Sequence, residues 1–68
     1  MIIRVVTDDR DAVAGFRLAG FECRLALTEE ELGAELEKSL ADKNAAAVFV
    51  KLKDREGIDV YAVNGEKL

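Results

Sequence analysis

Three carboxylates and a guanidinium fill the four positions after Thr7, in the stretch TDDRDAVAGFRLAG. Asp8, Asp9 and Asp11 stand directly behind an apolar run, Ile2–Val6, that reads as a buried strand. Carboxylates at the C-terminal edge of an open α/β sheet lie where such folds bind ligands, and they could hold a magnesium ion for phosphoryl transfer. That chemistry needs a phospho-accepting aspartate at the end of the third strand, where Val50, Lys51 and Leu52 stand instead. A site without its reacting group has no reaction to run. Aspartate is also a favoured helix N-cap, because its side-chain oxygen accepts an orphan backbone N–H. Asp9 or Asp11 is therefore expected to cap the helix that starts here.

Other catalytic chemistry lacks its parts. The chain has no histidine, the commonest general base and metal ligand. Its single cysteine, Cys23, cannot form an internal disulfide, and on the apolar side of a strand it reads as a small buried hydrophobe. Gly15 and Gly20 fall in and after the first helix, so no glycine loop cradles a phosphate between strand and helix. No cofactor is expected. Residues 28–42 carry six acids against Lys38, while the flanking segments are close to neutral. The footprint of a nucleic-acid binder is a basic stripe, and there is none. Met1–Val6 is too short to span a bilayer, so the chain is expected to be cytoplasmic, peripheral to any membrane and not inserted in it.

The 68 residues are expected to form a single α/β domain, 1–68, with a thin core and stability drawn partly from a partner. Val13, Phe16 and Gly20 recur at helical spacing, which predicts a helix over Ala12–Ala19. Gly20 is placed to end it with a positive φ. Phe21–Leu27 alternates apolar and polar and predicts a half-buried strand. Thr28 and Glu31 form a capping box at the head of an amphipathic helix that runs to about Asp42, with Leu32, Leu36 and Leu40 on one face. Ala45–Leu52 reads as an interior strand. Lys53–Gly57 is a charged turn, and Ile58–Val63 a fourth strand. Asn64-Gly65 is a further turn signal.

The expected order is β-α-β-α-β-β, a small open sheet with strands in the order 2-1-3-4. Strands one to three run parallel through right-handed crossovers. The turn before strand four is too short for a parallel return, so that strand pairs antiparallel with strand three. Lys51, Lys53 and Arg55 at the hairpin tip suit a partner patch or plain solvation.

The stretch Asp9-Arg10-Asp11, Val13 and Gly15-Phe16-Arg17-Leu18-Ala19-Gly20 resembles the N-terminal signature of the F subunit of the V-type ATPase, including its archaeal and bacterial A/V-type forms. The resemblance implies a non-catalytic component of a rotary central stalk. Such a component assembles with the coiled-coil stalk partner (the D subunit), reaches the catalytic head, and helps couple ATP hydrolysis or synthesis to ion transport. Asp9, Arg10, Asp11, Gly15, Phe16, Arg17 and Gly20 are then the candidate assembly motif. Asp8 stands where the family usually has glycine, and Ala12 where it often has threonine. Family members also carry a third helix, a further parallel strand and a C-terminal helix, so a chain ending at Leu68 is expected to be a shortened or truncated member. The alternative is a degenerate receiver-like or ligand-sensing module, with magnesium or an anion near Asp8–Asp11. A homodimer paired through Ile58–Val63 is a further reading, since open strand edges invite pairing.

Overall fold

The computed structural model describes residues 2–62. β1 (Ile2–Thr7) leads into α1 (Arg10–Leu18), β2 (Glu22–Leu25), α2 (Glu29–Ala41), β3 (Ala45–Lys51) and β4 (Asp59–Ala62). The four strands form one sheet in the order β2-β1-β3-β4. β1 pairs parallel with both β2 and β3, and β4 pairs antiparallel with β3, as the connection lengths require. The turn at Asn64-Gly65 and the last residue of the expected fourth strand, Val63, lie outside the described residues.

The two crossovers leave the sheet in opposite directions, so right-handedness puts their helices on opposite faces. Register and packing agree. Val6 is paired with Val50, and Arg4 with Val48, so these four side chains share one face. On it, Val6, Ala26 and Val48 form a core covered by Leu32, Leu36 and Leu40 of α2 and by Tyr61. Val5, paired with both Cys23 and Phe49, belongs to the other face. There Phe16, Phe21 and Phe49 form a chain of ring contacts, with centroids 6.1 and 6.3 Å apart. α1 packs chiefly on β2 and β1, and α2 on β3 and β1.

α2 begins as its sequence dictates, with one difference. Thr28 accepts the Glu31 N–H on its hydroxyl at 3.1 Å. The Glu31 carboxylate reaches back one residue further than in an ordinary capping box and accepts the Leu27 N–H at 2.8 Å. Thr28→Ala should cost about 1 kcal/mol, the usual worth of such a cap, read as a shift of the urea midpoint at unchanged slope.

Arg4, which interrupts the apolar first strand, answers the other end of α2. Its Nε donates to Asp42 Oδ2 at 2.9 Å, and its Nη2 donates to the same oxygen. Glu22 stands 3.8 Å from that guanidinium. The Asp42 carboxyl is held below its ordinary value of 3.8, first by the Asn44 N–H and then by Arg4. The folded chain therefore binds fewer protons here than the unfolded chain in acid. The stability this group contributes is complete above the ordinary aspartate value, and it is lost as pH falls through the lower folded value. Asp42→Asn should flatten the fall in stability below about pH 5 while leaving the neutral-pH slope unchanged. Chemical denaturation at a series of pH values reads this directly.

Candidate assembly surface

The motif residues are built into the ends of α1. Thr7 accepts the Asp9 N–H on its hydroxyl at 3.1 Å, which turns the chain out of β1. Asp9 is the N-cap: it has extended backbone angles, and its carboxylate accepts the Asp11 N–H at 3.0 Å. The helix consequently begins at Arg10, two residues before the expected start. Asp11 is not a cap. It lies in the first turn and donates the amide that the cap satisfies, where its charge also suits the positive end of the helix.

The other end is a Schellman turn. Gly20 has φ +93°, and its N–H donates to the Arg17 carbonyl at 3.0 Å. The Phe21 N–H donates to the Phe16 carbonyl at 3.0 Å, and the two rings meet edge to face. This bonding pattern, with a hydrophobic contact between the residues three before and two after the cap position, closes the helix. Arg17 reaches β2 and donates from Nη2 to the Cys23 carbonyl at 3.3 Å. Burial pushes the Cys23 thiol up, against the pull of the Arg17 charge, so it stays a protonated core residue.

Asp9, Phe16, Arg17 and Gly20 thus have local work that makes the helix what it is. Arg10 and Gly15 do not, Asp11 adds only its charge to the first turn, and all three are exposed. α1 has no buried residue along its nine positions. Ala14, Gly15, Leu18 and Ala19 face solvent, and Leu18 is 90% exposed. A Cβ added at Gly15 would meet nothing within 4 Å, so no packing inside the chain demands a glycine there. Beside this stripe, Ala12, Gly15, Phe16, Ala19 and Phe21 line a shallow apolar groove of about 380 Å³. A surface helix normally turns a polar face to solvent, and α1 sets Leu18 and the small residues Ala14 and Gly15 there among Arg10, Asp11 and Arg17. Leu18 is missing from the residues the sequence offers for assembly. Its spacing from Ala14 and Gly15 is plain there, but which way the helix faces is not.

Asp8 caps nothing. Its Oδ1 accepts the Lys53 N–H at 2.7 Å and ties the loop after β1 to the loop after β3. Among the described residues, no three His, Cys, Asp or Glu side chains converge in a way that could hold a metal ion. Nor is any helix among them long and apolar enough to cross a membrane.

A family model described as ATP synthase (F/14-kDa) subunit matches residues 3–65. No curated protein and no solved structure matches the chain. The chain belongs to the ATP synthase (F/14-kDa) subunit family, that of the V-type ATPase F subunit, and is an ATPase component that works in a complex with others.

Proposed function

We propose that this family member is a non-catalytic component of the central stalk, folded as one domain, that assembles with the coiled-coil D subunit of the stalk and supports ATP-coupled ion transport. Its place is cytoplasmic and peripheral to the membrane part of the machine. One observation carries the reading. On the outer side of α1, Ala14, Gly15 and Leu18 stand uncovered among Arg10, Asp11 and Arg17, and Leu18 is 90% exposed. Small residues on a helix let another backbone come close, and a coiled coil offers a long helical ridge to fill the groove beside Gly15. In this reading Arg10, Asp11, Gly15 and Leu18 touch the partner. Asp9, Phe16, Arg17 and Gly20 hold α1 in the shape that presents them.

Calorimetric titration of the chain against the coiled-coil stalk partner of the same source tests this. Sub-micromolar binding is expected. A folded chain that shows no heat of binding would sink the assignment and move the search to other partners.

The sheet supports a second reading, the homodimer. Among the described residues, β4 lies at the edge of the strand order and pairs with β3 alone. The pairing segment is Asp59–Ala62, shorter than Ile58–Val63, since Ile58 precedes the strand as an exposed residue and Val63 lies outside the described residues. A short edge strand is one of the ways natural sheets discourage such pairing. Sedimentation at rising concentration separates the readings: a monomer throughout removes the dimer.

A further inference from the structure

The segments following β1, β2 and β3 meet at the C-terminal edge of the sheet in a cleft of about 400 Å³. This edge is where open α/β sheets bind their ligands, because loops from neighbouring strands diverge there. The cleft has two kinds of wall. Ala26, Leu27, Leu32 and Leu52 make an apolar part, and Leu27 is 50% exposed with no cover. Asp8, Glu29, Asp54 and Arg55 bring charge to it.

The charges lining the cleft are not balanced, since Asp8, Glu29 and Asp54 stand there with Arg55 alone. Arg55 is committed to Asp59, donating from Nη1 and Nη2 at 2.8 and 3.3 Å. Lys51 does not line the cleft, and its Nζ donates to the carbonyls of Leu52 and Arg55. Asp8 has spent one oxygen on the Lys53 N–H and keeps the other. Among the described residues, no hydrogen bond or ion pair engages the carboxylates of Glu29 and Asp54. The cleft therefore presents unspent carboxylate oxygens above an apolar floor. No metal-holding group of acids is present among the described residues. A small hard cation would also leave the leucines wet. The fitting occupant has a cationic head on a long aliphatic stem.

We propose that this cleft seats a lysine or arginine side chain of a neighbouring protein in the complex, its stem on Leu27, Leu32 and Leu52 and its charge among Asp8, Glu29 and Asp54. The proposal rests on membership in a multisubunit complex, but it does not depend on α1 being the assembly face. The pocket is a second contact point, on a different part of the chain, and reads a charge that the α1 groove does not.

The side chain can be offered without its protein. Isotope-labelled chain is titrated with n-hexylammonium chloride and followed by amide NMR, beside n-hexanol for the stem alone and ammonium chloride for the charge alone. Hexylammonium should give saturable shifts confined to Asp8, Leu27–Glu29, Leu32 and Leu52–Arg55, with neither control reproducing them. The exposed double variant Glu29→Gln/Asp54→Asn should weaken that binding about fivefold, the usual loss for two partly solvated ion pairs. Its own spectrum reports whether it is folded. Equal binding of hexanol, unsaturable shifts spread over Glu30 and Glu37, or no shifts at all would each overturn the proposal. None of these results depends on α1, so the cleft and the stalk assignment fail separately.

Discussion

Gly15→Leu should make the free chain more stable and its assembly weaker. A glycine inside a helix is about 0.5–1 kcal/mol worse than a good helix former. A Cβ at Gly15 meets nothing within 4 Å, so the new side chain is not resisted from within. The thermal midpoint of the isolated chain should therefore rise. If α1 docks closely on a partner helix, the same side chain stands in the contact, and affinity should fall by about tenfold or more, roughly 1.4 kcal/mol. Stability and affinity moving in opposite directions is not what a merely structural glycine predicts. Calorimetry of binding and a thermal melt, run on one preparation, read both. Unchanged affinity with raised stability would mean that the groove beside Gly15 is not the docking face.

Val48→Ala should act on the fold alone. Val48 is fully buried at the centre of the sheet, paired with Arg4 on one side and Tyr61 on the other, under the leucines of α2. Removing its two methyl groups loses their transfer energy and leaves a cavity, together about 2 kcal/mol. A chain this short has roughly 3–10 kcal/mol of stability in all, so the loss is a large share of it. The melting midpoint should drop by roughly 10 °C, as the small unfolding entropy of such a domain dictates. A drop of only a degree or two would mean that α2 does not pack on this core.

The topology could be read from the sequence because the chain spells its connections out. The gap between β3 and β4 is too short for a crossover, which fixes their antiparallel pairing, and two helical periods of adequate length separate the parallel strands. The leucines at four-residue spacing fixed the buried face of α2. The ends of elements were less legible. Asp9 and Asp11 are both good caps, and only the backbone angles at Asp9 decide between them. β2 is shorter than its alternating pattern, since the Phe21 N–H is taken by the stop of α1 and the Leu27 N–H by the Glu31 carboxylate.

The site was legible in part. The motif pointed to α1, and its Phe16 and Gly20, with Phe21 just beyond it, make a helix stop whose pieces are three-dimensional only in the last step, the meeting of two rings. The exposure of Leu18 and the cleft below Asp8 had no sequence signal. Both depend on which faces the crossovers leave uncovered and on which charges find partners far along the chain, as Asp8 does with Lys53.

The most direct test of α1 as the assembly face is amide hydrogen exchange of the chain alone and mixed with the coiled-coil stalk partner. A nine-residue helix with no buried residue should open readily in the free chain. On assembly, exchange should slow across Asp9–Gly20 more than anywhere else. A bound chain in which these amides exchange as fast as in the free one, with protection appearing elsewhere, would contradict the account.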